Sequence, residues 1–399
     1  MMSDPFGQIG LWLMNLLTGL GLEPGLAGFL LKLVGAGALA MGAMLSTFLL
    51  IWGERRLLAR LQDRLGPNRL GPWGILQTVG DFGKLVTKEV ITPASADKVT
   101  FWLAPMLTVL SAVAVWAVLP LAKGLVGTDI NVGVVFVVAI GSIGMLGIML
   151  AGWSAGNKYS LLGAFRAVSQ LVSYEVPMVL VLLIPTLLSG SMGLVAIVEA
   201  QRPVWFVVMA PLALVIFYIS SLAENGRAPF DLLEGESEIA TGFNIEYTGL
   251  MFGMFYVAEF LHAFTVSALM ATLFFGGWQG PGAERYPLLG VMYFFGKTLI
   301  LWWSIIWVRM SLPRVRIDHM LALNWKILTP VALGLVAATA IAGKLAPADP
   351  LARSLALLVA NGVVLAGTVF GLWLYGRARR RPAPFEGWSR AHMVQPRRT

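Results

Sequence analysis

Seven acidic residues crowd the stretch from Glu224 to Glu259: Glu224, Asp231, Glu234, Glu236, Glu238, Glu246 and Glu259, with Arg227 the one basic residue among them. If 231–238 is helical, Asp231, Glu234 and Glu238 fall at i, i+3 and i+7 on one face, where like charges repel unless some carboxyls hold protons. Such a set titrates as a group rather than residue by residue. A solvated acidic loop is the plain alternative for this segment alone. Two acids resist that explanation, because Glu175 and Glu259 lie inside the apolar segments 168–188 and 251–275. An ionised side chain at mid-bilayer costs at least about 2.5–3.5 kcal/mol, so intramembrane carboxyls usually mark proton or ion paths; a helix–helix hydrogen bond is the alternative. Pro177 frees a backbone carbonyl close to Glu175. His262 sits one turn from Glu259 on the same face, and by itself reads as structural.

A second cluster, between 53 and 99, is basic. It begins Trp52-Gly-Glu-Arg-Arg, continues through Arg60 and Arg64 to Gly66-Pro-Asn-Arg-Leu-Gly-Pro, and ends with Asp81, Lys84 and Lys88. Its first half is a basic amphipathic helix, of the kind that anchors to lipid headgroups. The rigid turn elements at Gly66-Pro67-Asn68 and Gly71-Pro72 are not needed by an anchor and suggest a surface shaped against a partner. A third segment, Arg309 to Met320, alternates Arg314 and Arg316 with Asp318, and reads mainly as a topological anchor.

The elements that position these groups follow from composition. The chain has 399 residues, 57% hydrophobic and 13% charged, against roughly 45–50% apolar and 25% charged in soluble domains. Lipid must be its main solvent. Apolar segments long enough to cross about 30 Å of hydrocarbon lie near 28–52, 100–121, 132–153, 161–189, 204–223, 249–275, 288–310, 325–344 and 353–376. The expected fold is therefore an all-α integral membrane protein of about nine transmembrane helices. To these are added an interfacial helix near Leu11–Leu22 and two large cytoplasmic loops, 53–99 and 224–248. Residues 1–376 read as a single polytopic membrane domain and 377–399 as a basic cytoplasmic tail. No basic n-region or cleavage site marks a signal peptide, so the first hydrophobic segment is expected to persist.

Arg55, Arg56, Arg60, Arg64, Arg69, Lys84, Lys88, Lys98, Lys158, Arg227, Arg309, Arg314, Arg316, Lys326 and the arginine-rich tail fall on one side of this topology. The opposite loops offer Lys123, Arg202, Arg285, Lys344 and Arg353. The positive-inside rule puts the rich side in the cytoplasm and the N-terminus outside. Topology also explains the net charge of +8 without nucleic acid. There is no cysteine, so no thiolate-held iron–sulfur cluster, and the three histidines are too scattered to suggest a haem or zinc site. Electron chemistry must come from partners.

Four sets of motifs agree in order and spacing with one family. They are the Glu54-Arg-Arg to Gly-Pro-Asn-Arg-x-Gly-Pro loop, Ser173-Tyr-Glu-Val-Pro, Glu224-Asn-Gly-Arg-Ala-Pro-Phe-Asp with Phe243-Asn-Ile-Glu-Tyr, and Leu312-Pro-Arg-Val-Arg-Ile-Asp. Over about 28–345 the chain resembles the quinone-chamber membrane subunit of proton-pumping NADH:quinone oxidoreductase, respiratory complex I, known in bacteria as its H subunit. The resemblance implies that Glu54, Arg55, Arg56, Arg60, Arg69, Asp81 and Lys84, with Arg227, Phe230 and Asp231, shape the quinone tunnel and its junction with the hydrophilic arm. It implies that Glu175, Glu224, Asp231, Glu234, Glu236, Glu238, Glu246 and Glu259 form the acidic path toward the antiporter-like subunits, often called the E-channel.

The same resemblance implies a protein without redox groups, inactive alone, in the bacterial inner membrane. Quinone is then the substrate, and FMN, NADH and iron–sulfur clusters reside in partner subunits. Related machines offer an alternative: a membrane-bound hydrogenase, or a ferredoxin- or deazaflavin-dependent oxidoreductase. A free-standing proton-coupled transporter, using Glu175 and Glu259, is a more distant one. Two departures stand out: Gly80 where the family usually has Ala, and Asn225-Gly226 where it has Thr-Asn. Gly226 is expected to loosen that turn.

Overall fold

The computed structural model describes residues 5–232, 241–347 and 349–379, and within them the chain is helical with no strands. The helices are α1 (Pro5–Gly19), α2 (Pro24–Leu61), α3 (Gln77–Thr87), α4 (Lys98–Ala114), α5 (Gly133–Ser154), α6 (Lys158–Ser189), α7 (Leu194–Ala200), α8 (Phe206–Met209), α9 (Pro211–Glu224), α10 (Gly249–Phe274), α11 (Pro287–Ser311), α12 (Ile317–Leu323), α13 (Thr329–Leu345) and α14 (Pro350–Arg379). A π-turn, Asn324–Leu328, joins α12 to α13, so the two run on as a single span.

Eight of the expected spans are long and apolar enough to cross a membrane. The expected fifth, 204–223, is interrupted. Ala210 leaves the helical region (φ −138°, ψ 60°) just before Pro211, which has no N–H to continue the ladder. The remnants are the short α8 and the 14-residue α9. Helix α2, at 38 residues, is about 57 Å long. It outruns the hydrocarbon, and its last turns carry Glu54, Arg55, Arg56 and Arg60 beyond the apolar stretch.

Helix α10 lies at the centre, with 83% of its apolar window buried, whereas α2 and α14 are mostly uncovered at 17% and 11%. Lipid or partner subunits must cover those outer helices. Small residues bring α4, α5 and α6 close together: a Cβ at Gly147 would lie 2.7 Å from Thr108 Cγ2, and one at Gly152 would overlap Ala164 Cβ. Close backbone approach of this kind drives helix packing where the hydrophobic effect is weak. Helix α1 takes in residues 11–19 of the segment 11–22 expected to be an interfacial helix, and leaves Leu11, Trp12 and Leu16 exposed.

Candidate functional site

Helices α4, α5, α6, α9 and α10 line a cavity of about 140 Å³, room for several waters. Glu175 from α6, Glu224 from the end of α9, Asp231 from the following turn and Glu259 from α10 all line it, together with His262, Tyr256 and Arg309. Acids 84 residues apart in sequence, Glu175 and Glu259, thus face one space. Within it, Glu175 Oε1 accepts a hydrogen bond from Ser142 Oγ at 2.7 Å. His262 Nε2 stands 3.4 Å from Glu224 Oε1. Glu246 lies apart from the cavity lining, where its Oε1 accepts from Asn157 Nδ2 at 2.7 Å at the start of α6.

An ion cluster borders the cavity. Arg227 is almost completely buried, and its guanidinium donates to Glu54 Oε2 at 2.7 Å. Its Nε faces Glu259 Oε1 at 3.6 Å, an ion pair beyond hydrogen-bonding range, and its charge lies 4.9 Å from the Phe260 ring centre. Arg309 donates to the second oxygen of Glu54. Burial works against the charge on Arg227, but the nearby Glu54 and Glu259 carboxylates outweigh it and hold the guanidinium above its ordinary pKa. Removing either sign from such a cluster leaves an uncompensated buried charge.

The turn bearing Arg227 is fixed from both ends. Gly226 takes φ +60°, a left-handed conformation that glycine adopts freely. The fully buried Gln170 on α6 donates from Nε2 to Ala223 O at 2.7 Å and to Phe230 O at 2.8 Å. Phe230 is buried against Tyr174, ring centres 5.3 Å apart. The turn expected to be loosened by Gly226 is therefore held by a side-chain amide on either side of it.

On the basic loop, Arg55 pairs with Asp81. Arg56 and Trp52 both donate to the Trp73 carbonyl at 3.0 Å. The ring centres of Trp52 and Trp73 lie 5.5 and 5.8 Å from the Arg56 guanidinium. Phe48 on α2 packs edge-on against Phe82 on α3 at 5.4 Å, so the loop folds back along its own helix. Arg60, Arg69 and Lys84 are exposed. Among the described residues, no group of three or more His, Asp and Glu side chains is placed to hold a metal ion.

A family model described as NADH dehydrogenase matches residues 34–340. The H subunit of NADH-quinone oxidoreductase from Dehalococcoides mccartyi is 45% identical over 304 residues, 76% of this chain and 84% of the relative. The same protein from Rhodospirillum centenum is 44% identical over 306 residues, 76% and 91% of the two chains. That of Phocaeicola vulgatus is 40% identical over 341 residues, 82% and 95%. The chain belongs to the NADH-quinone oxidoreductase H-subunit family. It is thus a multi-pass membrane component of an enzyme complex whose other subunits are its partners.

In this member of the H-subunit family, most of the sequence-expected residues separate into three groups, with Phe230 on the Arg227 turn against Tyr174 and Glu246 on Asn157 outside them. Glu175, Glu224, Asp231 and Glu259 share the cavity, with Glu54 and Arg227 beside it. Arg55, Arg56 and Asp81 lie on the basic loop, with Arg60, Arg69 and Lys84 exposed there. Glu234, Glu236 and Glu238 lie outside the described residues. By sequence alone Arg309 reads as a topological anchor and His262 as structural, whereas the fold puts both at the cavity and Arg309 on Glu54. The signal available for Arg309 is its position at the end of an apolar span, which every anchoring arginine shares.

Proposed function

We propose that this protein forms part of the quinone-binding cavity of its complex and couples quinone reduction to proton translocation through its acidic residues. The observation that carries the reading is the shared guanidinium of Arg227, which touches Glu54 at the head of the basic loop and faces Glu259 in the acidic cavity. Glu54, Arg55, Arg56, Arg60, Arg69, Asp81 and Lys84, with Arg227, Phe230 and Asp231, shape the quinone side, and the isoprenoid tail occupies its apolar part. Glu175, Glu224, Asp231 and Glu259, with Glu234, Glu236, Glu238 and Glu246, form the proton path.

A negative charge created on quinone about 10 Å from a carboxyl shifts that carboxyl by about 1.7 kcal/mol at an effective dielectric near 20. This is roughly one pKa unit. It is enough to move protons among neighbouring carboxyls that share one cavity. The protein itself carries no redox group in this reading. NADH, FMN and iron–sulfur clusters belong to partner subunits, and the N-terminus faces out of the bacterial cytoplasmic membrane, with the basic tail inside.

The test is quinone reductase activity of Asp81→Asn and Glu234→Gln in membrane vesicles with complex assembly verified. Loss of quinone-linked activity with retained ferricyanide reduction by the hydrophilic arm supports the reading. Near wild-type activity in both variants leaves a scaffold role.

A further inference from the structure

Pro177 sits inside α6, two residues beyond Glu175. Proline has no N–H, so the carbonyl of Ser173, four residues earlier, loses its intrahelical donor. A buried carbonyl in that state is costly and normally finds another partner.

The partner comes from a different span. Asn324, fully buried, donates from Nδ2 to Ser173 O. Its neighbour Trp325 donates from Nε1 to Ser173 Oγ at 3.3 Å. Both residues belong to the π-turn Asn324–Leu328. Just before that turn, Met320 O accepts from the buried Tyr174 hydroxyl at 3.3 Å. A π-turn rotates one part of a helix relative to its continuation, and such turns concentrate at functional sites. Here the rotation turns an amide toward the one carbonyl that Pro177 has left open. The other end of that amide, Oδ1, is buried with no hydrogen-bond partner, so the N–H end is the one through which Asn324 bonds to α6.

Glu175 follows Ser173 by two residues and faces the cavity from α6, tied to Ser142 on α5. We infer that the π-turn is a clamp on α6 at the carbonyl that Pro177 leaves without a helical donor, and that Asn324 is a positioning residue setting where the Glu175 carboxyl stands in the acidic cavity. The inference rests on the reading of Glu175 as a member of the proton path. Glu224, Asp231, Glu259, His262 and Arg309 line the same cavity, so the pH profile of turnover depends on how Glu175 is placed among them.

The experiment uses the assembled complex in membrane vesicles, with ferricyanide reduction as the control for the hydrophilic arm. Asn324→Leu fills the same space without a donor. It is expected to lower quinone-linked turnover about tenfold or more, as small misplacements do, and to displace its pH profile. Pro177→Ala returns an N–H to Ser173 O, so the double variant Asn324→Leu/Pro177→Ala should recover to within about twofold of Pro177→Ala alone. Added to Glu175→Gln, Asn324→Leu should cost less than about twofold more.

A wild-type rate and pH profile in Asn324→Leu, or a full additive loss on top of Glu175→Gln, overturns the inference. If Asn324→Leu does not assemble, the double variant decides: recovery supports the clamp, and continued failure overturns it. Glu175→Gln with a wild-type rate instead removes the proton-path reading on which the clamp depends, a result distinguishable from failure of the clamp alone.

Discussion

Glu54 and Arg227, 173 residues apart in sequence, meet at 2.7 Å with almost no solvent on either side chain. One belongs to the basic loop and the other to the turn that opens the acidic segment, so a single buried ion pair joins the two charged regions of the chain. Arg227 also faces Glu259, and Glu54 also receives Arg309, which leaves two positive and two negative groups balanced around the wall of the cavity.

Arg227→Met breaks that balance by leaving Glu54 and Glu259 without their common partner. Removing one member of a buried pair costs about 3–5 kcal/mol. The expected outcome is a large loss of assembled complex on native gels and a lowered melting temperature. Arg227→Lys should recover little, because one ammonium cannot present the planar guanidinium that reaches both carboxylates.

Asp81→Asn is expected to behave differently. Its ion pair with Arg55 is well exposed, 28% and 43% for the two side chains, and exposed pairs contribute about 0–1 kcal/mol. Assembly and melting temperature should stay near wild type, while quinone-linked turnover falls. A loss of assembly equal to that of Arg227→Met would contradict a functional role for this pair.

Hydropathy alone makes eight spans legible, since each is an apolar run of roughly twenty residues or more. It runs straight through 204–223 because Val204 to Ala223 are nearly all apolar, and hydropathy does not register that Ala210 turns out of the helix before Pro211. The π-turn at Asn324 is likewise invisible to it: its reason is a carbonyl on α6, 151 residues away. Glu175 and Glu259 are legible because a carboxyl in an apolar run is costly wherever it lies, and Glu224 and Asp231 because they belong to an acid-rich segment. Arg309 is not, because its distinguishing feature is Glu54, 255 residues distant, and its local surroundings give it only the look of an anchor.

Gly163→Ala tests the packing of α6 against the chain that leads into α10. A Cβ there would lie 2.6 Å from the backbone carbon of Gly242, next to Phe243 and Asn244 in the cavity lining. Overpacking of this kind costs about 1–3 kcal/mol. Quinone-linked turnover should drop with ferricyanide reduction preserved, since the displaced backbone belongs to the cavity.

Gln170→Leu removes the amide that serves Ala223 O and Phe230 O. Each buried carbonyl left unpaired costs about 1–3 kcal/mol, so a fall in the melting temperature of the complex is expected. Quinone-linked activity should fall with it, as the Arg227 turn loses its tie to α6.

The most direct measurement is the rate of quinone reduction and the rate of proton translocation, each per assembled complex, in vesicles carrying Glu224→Gln or Glu259→Gln, with assembly and ferricyanide reduction verified. The account predicts that quinone reduction and proton translocation fall together in both variants while the hydrophilic arm keeps its rate. Wild-type pumping in both would contradict the claim that this cavity carries the coupling.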